Sequence, residues 1–229
     1  TSVWRDLCLW FDNCAHAFMA LALVVRQPWL AGGAVLLAAF TDERSLVVVP
    51  ALVLYHVATG SPRATSIGIV AAWPVYAAIR IVLALQHVGT TPSSGIADHA
   101  ILIDNLENAP FGIWFGLEGG WILVGWAVYH AANSRGRLLG LAMLAAALLP
   151  EVAALAVGDL TRSASYAFPA VLAAAALLRT HARAGELTKW AGWAALISVV
   201  VPNIFIMRYV FIETSLPARS VLTWLRTLP

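Results

Sequence analysis

Carboxylates and arginines are the residues of this chain whose types and spacing are suited to chemistry. The sequence holds 12 Asp and Glu residues, and it places Asp42, Glu43 and Arg44 side by side and Asp159 three residues before Arg162. A carboxylate takes a proton from a hydroxyl or holds a divalent cation. A guanidinium offers a planar fork of donors to phosphate oxygens. The combination suits transfer from a lipid-linked phosphate, where one group activates the acceptor and others hold the leaving phosphate.

We assign the candidate residues to three groups by this chemistry. The candidate bases or cation ligands are Asp42, Glu43 and Asp159, and the candidate phosphate-binding residues are Arg44, Arg80, Arg162 and Arg208. The polar residues predicted to line a cavity within the helices are Asp12, His16, Glu118 and Glu151. Asp12 and His16 lie four residues apart, which is one face of a helix. No metal-binding spacing is present, so the metal stays open, with a divalent cation as the candidate cofactor.

Structural interpretations compete with these assignments. Asp42-Glu43-Arg44 is also typical of a solvated turn between helices. Asp159 also suits a helix N-cap with Arg162 as its neutralising partner. Arg80 and Glu118 also suit an ion pair between two helices. The sequence leaves these alternatives open.

The composition of the chain is typical of a membrane protein. Apolar residues make up 61% of the 229 residues and charged residues 11%, whereas soluble domains are about 25% charged. Lys189 is the only lysine. A soluble domain of this size needs a polar shell that these residues cannot supply, but a bilayer removes the need. The predicted fold class is therefore all-α, a polytopic helical bundle in the membrane.

Apolar runs divide the chain into about eight predicted membrane segments, since a helix needs about 17–25 apolar residues to cross the bilayer. They are Leu7–Val25, Trp29–Phe40, Ser45–Ala58, Ala64–Gln86, Ile113–Ala132, Leu138–Val157, Ser163–Leu178 and Trp190–Ile212. The second and third are short, which predicts a hairpin of short crossings or a re-entrant pair. Residues 87–112 are predicted to be the longest non-helical stretch, and the tail Glu213–Pro229 to be an amphipathic interfacial helix.

Charge in the loops predicts the orientation. Alternating the segments puts one set of basic loop residues on a single side, which the positive-inside rule makes cytoplasmic: Arg26, Arg63, Arg135, Arg137, Arg179, Arg183 and Lys189. All acidic residues except Glu186 then lie on the outer side or in the outer half of the membrane. We predict one membrane domain, residues 1–229, in a bacterial inner membrane. Because the sequence opens at Thr1 without a leader, we expect it to be processed or part of a longer polypeptide.

Two motifs resemble known membrane proteins. A small apolar run from Gly32 to Phe40, the charged turn at residues 41–44 and an apolar run ending at Pro50 resemble the short hairpin of GT-C-type glycosyltransferases. Those enzymes move sugars from polyprenyl-phosphate donors on the outer face of the membrane. The motif Asp159-Leu160-Thr161-Arg162, followed by Tyr166-Ala167-Phe168-Pro169, is similar to one in envelope-glycan membrane proteins. The resemblance implies a glycosyl or related transfer in envelope assembly.

Three functional hypotheses follow. The first is an integral membrane enzyme that acts at the outer face on a lipid-linked phosphate or sugar. The second is a non-catalytic subunit that scaffolds other membrane subunits. The third is a transporter with an outward-open polar cavity. Nucleic acid is not an expected partner, because the basic residues are few and spread over short loops.

Overall fold

A computed structural model of the chain describes residues 12–86, 99–134, 137–157, 160–181, 185–201, 203–207 and 210–214. The chain divides into two compact units, Thr1–Ser94 and Gly95–Pro229. The regular elements of the described residues are helices, except for one short antiparallel hairpin near the end of the second unit. The coarse prediction of a helical protein is therefore confirmed.

The described part of the first unit contains four α-helices and one 3₁₀ segment. They are α1 (Asp12–Val24), α2 (Pro28–Thr41), the 3₁₀ segment Glu43–Val48, α3 (Val49–Ala58) and α4 (Arg63–Leu85). Pro28 starts α2 and Pro50 lies in the first turn of α3, positions where the missing N–H group costs nothing. Asp42 ends α2 in an extended conformation. The predicted segment Ser45–Ala58 is thus split between the 3₁₀ segment and α3.

Helices α2 and α4 run parallel and approach closely where both have glycine. A Cβ atom on Gly32 would lie 2.5 Å from the carbonyl oxygen of Gly68, and one on Gly68 would overlap the carbonyl of Pro28. Further along, the ring of Phe40 lies 5.1 Å from that of Tyr76. Small residues at helix crossings let backbones meet in this way.

A buried histidine joins the ends of α1 and α3. His56 is 1% exposed, and its Nε2 lies 2.8 Å from the carbonyl oxygen of Ala22. Because a carbonyl can only accept, Nε2 carries the proton and Nδ1 accepts from the Ser61 hydroxyl at 2.9 Å. The Thr65 hydroxyl donates to the carbonyl of Arg26 at the same end of the unit. His56 is therefore a core histidine with both ring nitrogens hydrogen-bonded.

Among its described residues, the second unit contains six helices, a short 3₁₀ turn and the hairpin. They are α5 (His99–Leu117), α6 (Gly120–Ser134), α7 (Arg137–Ala154), α8 (Leu160–Ala164), the 3₁₀ turn Ser165–Ala167, α9 (Phe168–His181), α10 (Glu186–Val200), β1 (Asn203–Met207) and β2 (Val210–Thr214). The strands pair antiparallel, from Asn203 opposite Thr214 to Met207 opposite Val210. Between α5 and α6 the chain bends by 87°. At the bend Glu118 has a φ of 46°, and the N–H of Gly119 donates to the Ser198 hydroxyl at 3.2 Å.

Asn105 on α5 holds the end of α7. Its side chain is buried, and its Nδ2 donates to the carbonyls of Leu155 at 2.9 Å and Val157 at 2.7 Å. Asn105→Ala leaves both terminal carbonyls without this donor, so we expect a loss of about 1–3 kcal/mol in the free energy of unfolding. Unfolding by denaturant in detergent solution measures this change in the free energy of unfolding. Asn133, whose exposed side chain bonds only within its own helix, is the control, and an equal effect of Asn133→Ala would contradict the capping role.

The number of membrane segments is smaller than predicted. Among the described residues, two helices are long and apolar enough to cross a membrane, α4 and α7, or three if the bent pair α5–α6 counts as one broken span. Shorter apolar helices cover Asn13–Val24, Pro28–Thr41 and Ser165–Thr180. At 1.5 Å per residue, α2 rises only about 21 Å, against roughly 30 Å of hydrocarbon. The estimate of about eight segments was too high because hydropathy counts short apolar runs as crossings.

Two predicted boundaries were wrong. The last predicted span, Trp190–Ile212, ends as a helix at Val200 and continues into the hairpin, where alternating β-branched and aromatic residues favour strands. Within residues 87–112, helix α5 begins at His99, and its acidic and amide residues recur at helical spacing despite Pro110. Of the predicted interfacial tail, Glu213 and Thr214 belong to β2, and residues 215–229 lie outside the described residues.

Candidate functional site

The turn after α2 is organised by an ion pair between Asp42 and Arg44. The Arg44 backbone N–H donates to Asp42 Oδ1 at 3.0 Å, its Nε lies 2.8 Å from the same oxygen, and its terminal nitrogen contacts Oδ2. Both side chains are largely buried, at 10% and 18% exposure. Asp42 therefore caps the 3₁₀ segment and neutralises Arg44 at the same time.

Glu43 and Arg80 both contact Tyr76 on α4. The Tyr76 hydroxyl donates to Glu43 Oε2 at 3.4 Å, and the Arg80 guanidinium carbon lies 5.9 Å from the centre of the tyrosine ring. Tyr76 is buried, whereas Glu43 and Arg80 are exposed. One turn earlier, Trp73 Nε1 donates to the carbonyl of Leu46 at 3.0 Å. These bonds hold α4 against the 3₁₀ segment.

The five residues form one group, which we call the turn cluster: Asp42, Glu43, Arg44, Tyr76 and Arg80. Two carboxylates and two guanidiniums balance in formal charge, but Arg44 is already paired and Arg80 has no carboxylate partner among the described residues. The cluster lies at the far end of α2 and α4 from Pro28 and Gly68. Its exposed members are therefore an acid and a cation that solvent or a ligand can reach.

Glu118 and Glu151 are acidic residues of the second unit, each with at least one buried carboxyl oxygen. Glu151 on α7 is wholly buried, and neither of its carboxyl oxygens has a hydrogen-bond partner in the described structure. Glu118, at the bend, is half-buried; it bonds to Ser198, while its Oε1 is buried without a partner. Both residues were predicted from the sequence as cavity-lining groups, and that role stays a prediction.

Several predicted site residues lie wholly or partly outside the described residues. Asp12 opens α1 and Arg162 lies in α8, but their side chains are outside the described residues, as are Asp159 and Arg208 altogether. His16 is half-buried on α1 and has an interaction partner. Among the described residues, no group of three or more His, Cys, Asp and Glu side chains is placed to hold a metal ion. The predicted divalent cation stays a prediction.

Two residues of functional interest were missed in the sequence. Tyr76 was overlooked although it lies four residues before Arg80, the spacing that puts two side chains on one helix face. Asn105 was overlooked because its partners, the carbonyls of Leu155 and Val157, are 50 and 52 residues away in the chain. Helical spacing signalled the first, whereas no local pattern signals the second.

Comparisons with protein-family models, with curated proteins and with solved structures found no match to this chain. A functional proposal therefore depends on the geometry of the described residues and on their chemistry.

Proposed function

We propose that the chain is an integral membrane enzyme that transfers a group from a lipid-linked phosphate, and that the turn cluster is its active site. The observation that carries the proposal is the contact of both Glu43 and Arg80 with Tyr76. One is an exposed carboxylate and the other an exposed cation without a carboxylate partner among the described residues. Proton removal and phosphate binding are the two tasks that this transfer requires.

The roles follow from the contacts. Glu43 accepts a long hydrogen bond from Tyr76 at Oε2, which leaves Oε1 to accept a proton from an acceptor hydroxyl. The acceptor oxygen then attacks the carbon of the transferred group that is bonded to a phosphate oxygen. That carbon–oxygen bond breaks, and the lipid phosphate leaves with the electron pair. Arg80 binds the leaving phosphate oxygens. Asp42 and Arg44 fold the turn, so the contacts favour Glu43 over Asp42 as the base.

The surroundings of the cluster support a lipid substrate. Helix α4 is long and apolar enough to cross a membrane and presents large apolar side chains outward along its length, among them Ile67, Val70, Ile81, Val82 and Leu85. Exposed apolar faces of this extent suit contact with lipid. Arg80 lies five residues before the end of this helix, where its long side chain can reach the headgroup level. We place the cluster at the outer face of a bacterial inner membrane.

Binding of a prenyl phosphate tests the proposal. We expect the purified chain in detergent to bind farnesyl phosphate more tightly than farnesol, which has the same hydrocarbon chain without the phosphate. In Arg80→Gln this preference should fall about 10- to 100-fold, because hydrogen bonds to charged groups contribute about 1.5–3 kcal/mol. Native mass spectrometry or tryptophan fluorescence measures both ligands.

Arg63→Gln is the matched control. Arg63 is an exposed arginine at the opposite end of the same helix, so its replacement removes the same charge away from the cluster. Equal affinity for farnesyl phosphate and farnesol in the unaltered chain would contradict the proposal. An equal effect of Arg63→Gln and Arg80→Gln would show that only net charge matters and would also contradict it. A chain that fails this test while it co-purifies with one stoichiometric partner would fit the scaffold hypothesis.

A further inference from the structure

Glu151 lies between three helices of the second unit in an apolar setting. A Cβ atom on Gly116 of α5 would lie 2.7 Å from Glu151 Oε1 and 2.7 Å from the Cβ atom of Ala164 on α8. The missing side chain at Gly116 therefore lets the carboxyl group lie directly against the backbone of α5. The carboxyl group is wholly buried in α7, and no described residue donates a hydrogen bond to it.

An ionised carboxylate in this position would be unstable. Burial of a charge without a partner is far more costly than burial of a hydrogen-bonded polar group. Within a helix long enough to cross a membrane, such residues are rare and mark proton or ion pathways. Glu151 therefore needs a bound cation to neutralise it.

No described titratable side chain forms a hydrogen bond with the Glu151 carboxyl group. The titratable residues on the elements that pack against α7, together with Glu118 between α5 and α6, are His99, Asp104, Glu107, Glu118, Tyr129, His130, Arg162, Tyr166, Arg179 and His181. His130 lies near Glu186, with 3.9 Å between Nε2 and Oε2. The described residues also lack a cluster of three metal-binding side chains. A lone carboxyl group against glycine and alanine suits the smallest cation, the proton.

The bend beside Glu151 supplies a second feature. Gly116 lies two residues before Glu118, which adopts the left-handed conformation where the span breaks by 87°. A non-glycine residue held in that conformation costs about 1–3 kcal/mol and marks functional positions. The C-terminal end of the half-helix α5 carries partial negative charge, which favours a cation nearby. Broken membrane helices bind coupling ions at such ends.

We propose that Glu151 is a proton-binding site, loaded as the neutral acid and reached by protons at the bend of the broken span α5–α6. The site shares no residue with the turn cluster, so this proposal does not depend on the proposed transfer reaction. It adds a proton-exchanging function to the second unit.

Infrared spectroscopy of the full chain in detergent tests the proposal. At neutral pH we expect the carbonyl band of a protonated carboxylic acid in the unaltered chain, lost in Glu151→Gln and kept in Glu107→Gln, which changes an exposed acid on α5. In D₂O the band should shift within the time of buffer exchange, because protons reach the site. Labelling with ¹³C-glutamate assigns the band to a glutamic acid in the unaltered chain. Glu118→Gln, which changes the other glutamate with a buried carboxyl oxygen, should keep the band, and loss of the band in this variant would contradict the assignment to Glu151.

Three results would overturn it. One is a spectrum of the unaltered chain without a protonated glutamic acid band. Another is a band that does not shift in D₂O, which indicates a sealed structural acid. The third is a band that appears only after sodium removal, which would assign the site to a sodium ion.

Discussion

Glu43→Gln should reduce transfer about 10²- to 10⁴-fold, the usual contribution of a general base. Glutamine keeps the shape of the side chain and can still accept the hydrogen bond of Tyr76, but it cannot take a proton from the acceptor. The measurement is incorporation of a labelled sugar from a prenyl-phosphate-linked donor into membranes that contain the variant, normalised to folded protein. Because Arg80 is unchanged, binding of farnesyl phosphate should stay within a few-fold.

Two further variants make this result specific. Glu107→Gln changes an exposed acid of the second unit and should leave transfer unchanged. Asp42→Asn weakens the ion pair with Arg44 and should lower stability as well as activity, whereas Glu43→Gln should lower activity alone. Full transfer by Glu43→Gln would remove Glu43 from the reaction. Loss of transfer together with loss of folded protein would assign it a structural role.

Gly68→Ala should destabilise the first unit by about 1–3 kcal/mol or more, the cost of overpacking a close contact. The added Cβ atom would overlap the backbone carbonyl of Pro28, which is the first residue of α2 and cannot move like a flexible side chain. Helices α2 and α4 would have to separate, which should also disturb the contact of Tyr76 with Phe40 and Glu43 further along. Thermal unfolding in detergent, followed by tryptophan fluorescence, measures the change.

Gly33→Ala is the matched control, because nothing lies within 4 Å of a Cβ atom at that position. It should stabilise the chain by about 0.5–1 kcal/mol, the helix-propensity gain of alanine over glycine. The second unit offers the same comparison. A Cβ atom added at Gly119 would overlap the carbonyl of Ala194, whereas nothing lies within 4 Å of a Cβ atom added at Gly125. Equal midpoints for Gly68→Ala and Gly33→Ala would show that the helices are not packed as described.

Local patterns were sufficient for helix α4 and for the charged turn. The run from Ala64 to Gln86 is long and apolar, and the helix occupies Arg63–Leu85, with its boundaries shifted by one residue at each end. The turn at residues 41–44 was expected from its polar residues between apolar runs, but its Asp42 and Arg44 side chains are paired and largely buried rather than solvated. The role of Glu43 in transfer stays a prediction.

Other features depend on partners far along the chain. Hydropathy could not separate the 14 residues of α2 from a true crossing, nor show that the last apolar stretch changes from helix to strands after Val200. The grouping of Glu43 with Tyr76 and Arg80 requires α4 to pack alongside α2, and that close approach depends on Gly32 and Gly68. A one-dimensional pattern records spacing within a segment but not which segments touch.

Composition alone predicted a membrane environment for this chain, in which its scarce charges must be paired, exposed or functional, because uncompensated charge in hydrocarbon is costly. Tertiary packing decided which charged side chains are paired, which are exposed and which are buried. It pairs Asp42 with Arg44, leaves Glu43 and Arg80 exposed around Tyr76, and buries Glu151 against Gly116. The physical reason is that the energy of a charge depends on its neighbours in space, and those neighbours come from different helices.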